Sequence, residues 1–310
     1  MTDKSIQAIR FHQYGGPEEL RYETIPCLEP AEGEVLIRVH AAGVLPIDWK
    51  IRQGLIKFPI TFPSIPGTAL AGVVEKVGPG VTEFQQGQAV FGRSSKGTYT
   101  EYTTAVVSSL ALIPRAVSFN EAATISGGAT TAWQALINES NIKAGDRVLI
   151  HGAAGGVGQY AVQFAKWKGA FVFGTCGSAN VDFVQSLGVD QVIDYTTTAF
   201  EDVAVELDIV LDTIGGATLE KSWSLVKQGG ILISLVMPPS QEKANASGIK
   251  AIKPTALASS KDLEQIVQLI AENKVKATIA ATYSLQDAGQ AHALSQLGHG
   301  RGRIVLQIVD

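Results

Sequence analysis

Along the first third of the chain, apolar residues recur at every second position over short runs. In Glu34-Val35-Leu36-Ile37-Arg38-Val39-His40, Val35, Ile37 and Val39 share one face and Arg38 and His40 the other, which predicts a strand. Glycine and proline punctuate these runs at Gly15-Gly16-Pro17, Gly78-Pro79-Gly80 and Gly92 to Gly97. Ile6 to about Arg115 therefore reads as a compact, twisted antiparallel barrel.

The pattern changes near Ser118, where Asn120 to Ala123 and Thr131 to Leu136 read as helices. From Arg147 the chain alternates. Apolar runs at Val148-Leu149-Ile150, Phe171-Val172-Phe173, Val192-Ile193, Ile209-Val210-Leu211 and Ile231-Leu232-Ile233 are separated by segments of helical length, the pattern of βαβ crossovers in a parallel sheet. Val157, Tyr160, Ala161, Phe164 and Ala165 form one helical stripe, stopped by Gly169. Pro238 to Gly248 reads as a polar surface loop. After a helix at about Ser260 to Asn273, the strand period returns at Thr278 to Tyr283 and Gly302 to Ile308, which suggests that the end of the chain rejoins the first domain. The expected division is 1–118 with 270–310, and 119–269.

Composition narrows the function. The chain has 310 residues, of which 45% are hydrophobic and 17% charged, enough for two buried cores. Its 25 basic and 29 acidic residues leave a net charge of -4 with no basic run, which argues against nucleic acid. Cys27 and Cys176 fit neither a disulfide framework nor a metal knuckle. With no apolar leader at Met1 to Gln7 and no spanning stretch, the expectation is a cytoplasmic protein with no membrane partner.

The strongest chemical signal is His151-Gly152-Ala153-Ala154-Gly155-Gly156-Val157-Gly158, between a strand and the striped helix. Such a turn lets backbone N–H groups and the positive helix end meet a pyrophosphate; a tight turn with close helix packing is the alternative. Strand, turn, helix and second strand together favour dinucleotide binding, with Gly152, Gly155, Gly156, Val157 and Gly158 as contacts. The second strand ends Thr175-Cys176-Gly177-Ser178-Ala179-Asn180, where an NAD site places a carboxylate for the ribose. No carboxylate is expected there. The donors Ser178, Asn180 and Tyr195 favour NADP(H), with Thr175 a further candidate cofactor contact, although Ser178 or Asn180 would equally cap the next helix.

The run Arg147 to Gln159, with Gly43-Val44-Leu45-Pro46-Ile47-Asp48-Trp49-Lys50, Gly97-x-Tyr99-x-Glu101-Tyr102, Thr131-Ala132-Trp133-Gln134, Asp212-Thr213-Ile214-Gly215-Gly216 and Gly300 to Leu306, resembles the medium-chain dehydrogenases/reductases. Within them it is most similar to the zinc-independent quinone oxidoreductases and enone reductases. The resemblance implies an α/β protein: a Rossmann-type doubly wound parallel sheet domain plus a GroES-like β-barrel domain, with the nicotinamide in the cleft between them, and a homodimer. Zinc members carry Gly-His-Glu and a four-cysteine lobe. Here Gly67-Thr68-Ala69 and two distant cysteines stand instead, so no metal is expected, and His12, His40, His151, His292 and His299 show no ligand spacing.

Without zinc to polarise an alcohol oxygen, hydride donation to a quinone or conjugated enone is the expected reaction. By the same resemblance, Lys50 and Thr131 are the catalytic candidates beside the nicotinamide. An exposed helix lysine and a backbone-bonding threonine would read the same way. Ser234, Leu235 and Val236 end the fifth parallel strand and are expected near the cofactor. Arg301 and Arg303 are candidate pyrophosphate contacts or surface cations. Leu45 and Ala179 replace an Asn and an Arg of many relatives, which keeps open a low-activity NADP-binding sensor or structural protein. A zinc-free alcohol or aldehyde reductase is the third reading.

Overall fold

The structure, a computed structural model, describes residues 5–57, 59–298 and 300–309. In chain order it begins with strands β1 (Ser5–Arg10), β2 (Arg21–Pro26) and β3 (Glu34–Val44), helix α1 (Pro46–Arg52), and β4 (Ala69–Val77), β5 (Ala89–Arg93), β6 (Tyr102–Val106) and β7 (Leu110–Leu112). Helices α2 (Phe119–Ala123) and α3 (Thr130–Trp133) lead to β8 (Arg147–Ile150), α4 (Gly158–Trp167), β9 (Phe171–Cys176), α5 (Val181–Ser186) and β10 (Gln191–Asp194). There follow β11 (Leu207–Asp212), α6 (Gly216–Ser222), β12 (Val226–Ser234), α7 (Gln241–Ser247) and β13 (Lys250–Ile252). The chain closes with α8 (Ser260–Ala271), β14 (Ile279–Ser284), α9 (Ala288–Leu297) and β15 (Arg303–Gln307).

Two compact units result, one of residues 1–127, 259–272 and 277–310, the other of 128–258 and 273–276. These boundaries differ from the expected ones because α2 packs on β3 and β4, and α8 packs on β7. Helix α8 therefore belongs to the first unit.

In unit 1, β1 pairs with β2, and a seven-stranded sheet runs β14-β15-β3-β4-β5-β7 with β6 on β3. Pairing is antiparallel except between β14 and β15, which run parallel. Val35, Ile37 and Val39 pack with Leu70, Val74 and Val90 in one core, as the alternation along β3 requires. A second core joins Val44, Tyr99, Leu285, Ala288 and Leu306, and so ties the terminal segment to the early strands.

Unit 2 is a six-stranded parallel sheet in the order β10-β9-β8-β11-β12-β13. Its order reverses between β8 and β11, the crevice where ligands bind in open α/β sheets. Strands buried on both faces need continuous apolar runs, and Val148, Leu149, Ile150, Val210 and Leu211 are all fully buried. The expected loop from Pro238 to Gly248 contains α7 instead. Ser240 accepts a hydrogen bond from the Lys243 N–H, Gly248 ends the helix in the left-handed conformation, and Ala244 is its buried residue.

Candidate active site

The glycine turn of unit 2 uses its glycines for two purposes. Gly152 has φ +70°, and a Cβ there would lie 2.5 Å from the Thr213 hydroxyl. At Gly158 a Cβ would meet the Gly152 carbonyl at 2.1 Å and Ala153 Cα at 2.7 Å, so this glycine seats α4 on the turn. Gly155 differs. A Cβ there would touch only the Gly152 carbonyl, at 3.3 Å, and Gly155, Gly156 and Val157 are half-buried on the outer side of the turn. The opening of α4 is thus accessible to an anion that needs close backbone approach.

Thr175 braces the turn from inside. Its hydroxyl accepts the Gly152 N–H at 3.2 Å and lies 3.2 Å from His151 Nδ1, while its carbonyl accepts the Ala153 N–H at 2.9 Å. His151 Nε2 is 3.0 Å from the Ser222 hydroxyl, which itself donates to the Thr218 carbonyl at 2.7 Å. His151 is therefore a donor at Nε2 and an acceptor at Nδ1, a neutral ring, and burial pushes its pKa down to about 4.

Ser178 and Asn180 lie in the turn that follows β9, Ser178 exposed and Asn180 half-buried. The Ser178 hydroxyl is 2.7 Å from that of Thr196, which donates to Asp194 Oδ1 at 2.7 Å. The segment 175–180 carries no carboxylate of its own, but Asp194 of β10 pairs with Cys176 of β9 and brings one beside it, a neighbour the linear spacing cannot display. Hydrogen bonds from Ser178 and Thr196 hold its carboxyl below the usual range. The Tyr195 hydroxyl lies over Gly177.

At the end of β12, Ser234 is fully buried and donates to Asp212 Oδ2 at 3.0 Å; Asp212 also accepts the Gly215 N–H at 2.9 Å. Ser234 therefore contributes by fixing the strand ends, and Leu235 and Val236 follow it outward. Tyr195, Ile214, Val236 and Met237, at 53, 55, 43 and 46% exposure, follow three neighbouring or nearby strand ends and supply an apolar rim. Met237 was not singled out in the sequence, and Ile214 only as part of the run Asp212 to Gly216; large apolar residues just beyond apolar strands were the available signal. Thr131, half-buried on α3, belongs to this unit as well.

Unit 1 contains a cavity of about 470 Å³, walled by Ile51, Ile65 and Pro66 with Asp48, Thr68 and Lys96 among its polar residues. Gly67, at φ +89°, lets the wall lie on Tyr99, since a Cβ there would come 2.4 Å from the ring. Asp48 and Ile51 present one side of α1 to the cavity. Lys50 is not among its lining residues, and its Nζ sits 5.5 Å from the centre of the Trp49 ring. Leu45 packs against Gly127. Arg301 is exposed, whereas Arg303 is buried and donates to the Gly127 carbonyl at 2.9 Å.

Sequence reasoning passed over Asp48, the carboxyl at the cavity wall. Burial pushes its pKa up to about 7, against the opposing effects of hydrogen bonds from the Leu45 N–H and Tyr99 and the charges of Arg303 and Arg93. Among the described residues there is no group of three or more His, Cys, Asp or Glu side chains arranged to hold a metal ion. His299 lies outside the described residues. No helix of the described residues is long and apolar enough to cross a membrane.

The alcohol dehydrogenase GroES-like domain model matches residues 31–115, and the zinc-binding dehydrogenase model matches 187–306. The chain is similar to a chloroplast envelope quinone oxidoreductase homolog of Arabidopsis thaliana, at 32% identity over 99% of this chain and 100% of the relative. The human quinone oxidoreductase is 31% identical over 96% of each chain. Among solved structures, the quinone oxidoreductase of Coxiella burnetii superposes with a TM-score of 0.91 at 31% identity, covering 99% of this chain and 100% of the other. The Escherichia coli quinone oxidoreductase complexed with NADPH gives 0.89 at 30% identity, covering 97% and 99%. The two-unit fold, the glycine turn at the strand-order reversal and full-length similarity agree: the chain belongs to the quinone oxidoreductase family of the medium-chain dehydrogenases/reductases.

Proposed function

We propose that the protein is a zinc-independent reductase of quinones or α,β-unsaturated carbonyl compounds that uses NADPH. The observation that carries this reading is the turn around Gly155, open on its outer side at the point where strand order reverses. Gly155, Gly156 and Val157 present backbone to a pyrophosphate on a turn shaped by Gly152 and Gly158, Ser178, Asn180 and Tyr195 serve the ribose-phosphate end, and Thr131, Leu235 and Val236 border the nicotinamide. Thr175 and Ser234 act by holding the turn and Asp212 in place. When bound, the dinucleotide supplies a hydride.

Among the described residues no cluster of His, Cys, Asp or Glu side chains could hold a metal that polarises an unactivated carbonyl, which favours acceptors that are already electrophilic. The NADPH complex of the Escherichia coli relative supports the choice of cofactor, and Asp194 beside Ser178 opposes it. Titration of the purified protein with NADPH and NADH, followed by nicotinamide fluorescence, tests the nucleotide site. Addition of a soluble quinone and a reactive enone then tests the reaction. Tighter NADPH binding with rapid bleaching is expected, and the enone product should be that of 1,4-reduction; 1,2-reduction would assign an alcohol or aldehyde reductase. Binding without bleaching by any acceptor would assign a sensor.

A further inference from the structure

The cavity of unit 1 is walled by a carboxyl group that belongs to a longer buried chain. Asp48, Arg52, Tyr99 and His292 are 3, 0, 0 and 0% exposed, so every polar atom among them must be matched inside the protein or at the cavity. Arg52 Nε donates to His292 Nδ1 at 3.3 Å, and its two terminal nitrogens donate to the Gly15 carbonyl at 2.8 Å and to Gln296 Oε1 at 3.1 Å. A guanidinium can only donate, so His292 Nδ1 accepts and the ring proton sits on Nε2. Nε2 lies 3.1 Å from the Tyr99 oxygen, and the Tyr99 hydroxyl donates to Asp48 Oδ2 at 3.1 Å. The Leu45 N–H donates to the same Oδ2 at 2.8 Å.

Every bond in the chain points toward Asp48. Oδ2 receives two donors, and the single Tyr99 proton is committed to it, because the other neighbour of that hydroxyl, His292 Nε2, is itself a donor. A proton on this carboxyl therefore resides on Oδ1, to which no described residue donates, on a side chain that lines the cavity. We propose that Asp48 is the acid that delivers a proton to the oxygen of an acceptor bound in this cavity, with Tyr99, His292 and Arg52 as positioning residues. The inference rests on the quinone and enone reductase reading above. Reduction of a quinone to a hydroquinone takes one hydride, from the reduced nicotinamide dinucleotide, and one proton beyond it. The Asp48 O–H bond breaks, an O–H bond forms on the acceptor oxygen, and the carboxylate regains a proton from bulk solvent.

The groups that bear on Asp48 fit this role. Burial favours its neutral form; Tyr99, Arg93 on β5 and Arg303 on β15 favour the anion, and together they leave it exchangeable near neutral pH. His292, held neutral by burial and by Arg52, contributes no second titration in that range. Lys96 lines the same cavity, and Lys50 on α1 lies beside Trp49.

Two measurements on the full chain test this. With NADPH and a soluble benzoquinone, wild-type kcat should be level at low pH and fall about tenfold per pH unit once Asp48 ionises. Asp48→Asn should lower kcat about a hundredfold and abolish that limb. Tyr99→Phe removes a donor to the carboxylate and should move the limb to higher pH, a shift that lost packing alone would not give. Infrared titration of the protein without added dinucleotide should show a protonated carboxyl band at about pH 6 that vanishes in Asp48→Asn, or shifts its titration in Tyr99→Phe if the first variant does not fold. No such band, or turnover in Asp48→Asn with the limb intact, would overturn the assignment. Absence of any wild-type turnover would overturn the reductase reading instead, and the infrared band would then decide whether Asp48 holds a proton.

Discussion

His151 shows how one buried side chain sets a pH limit on the fold. Both ring nitrogens are engaged, with Thr175 and Ser222, and Phe200 packs edge-on at 4.6 Å between ring centres. Its folded pKa of about 4 lies below the ordinary 6.5, so the stabilisation is complete above pH 6.5 and is lost as pH falls toward 4. At pH 5 the loss is about 2 kcal/mol, from 1.36 kcal/mol per unit. Unfolding free energies from urea melts at pH 7.5 and 5 should differ by that much more in the wild type than in His151→Gln. Asp194 gives a prediction at the surface. Its charge opposes a 2′-phosphate, so Asp194→Asn should tighten NADPH by up to about fivefold and leave NADH nearly unchanged, as competitive fluorescence titration would read. Residues of this kind were the least legible in the sequence. Asp48 stands within a run that was singled out, yet its partners Tyr99 and, beyond it, His292 lie far along the chain, and only the fold reveals them.

The turn from β8 into α4 separates glycines that the sequence presents as equivalent. Gly158→Ala drives a methyl into the Gly152 carbonyl and Ala153, backbone that cannot yield, and should cost about 1–3 kcal/mol in a denaturant melt. Gly155→Ala meets one atom at 3.3 Å and should leave the melt within about 0.5 kcal/mol, as substitutions away from packed features do. The same change should weaken NADPH at least about tenfold, the equivalent of 1.4 kcal/mol, because the methyl occupies the approach of the pyrophosphate. Equal loss of stability in both variants would contradict the division of roles. Periodicity made β8, β9, β11 and β12 readable, since each is an apolar run buried on both faces. It failed at α7, a short helix carried by Ser240, Gly248 and one buried alanine, and at β13, where three residues show no period.

At the scale of the whole molecule, the chain leaves unit 1 after residue 127, returns at 259, and enters unit 2 again for residues 273–276 alone. The return of the terminal strands was legible because their alternation resumes after a helical segment, but this brief second visit has no signature in the sequence. It is held by Gln163 of α4. The Gln163 side chain donates to the Lys276 carbonyl at 3.0 Å and accepts the Lys276 N–H at 2.7 Å, while Val275 beside it is almost fully buried. One amide thus performs for Lys276 what a neighbouring strand would. Gln163→Met keeps the volume and leaves both backbone groups of Lys276 without these partners, a cost of about 1–3 kcal/mol. A ligand that binds only folded unit 2 should offset much of it, since saturation to a hundred times Kd stabilises by about 2.7 kcal/mol. Hydrogen exchange of the full-length variant should therefore show lost protection in β8, α4 and β9, largely restored by NADPH, with β3, β4 and β5 unchanged. If protection fell equally in β3 to β5, segment 273–276 would be stabilising unit 1, and its assignment to unit 2 would have to be abandoned.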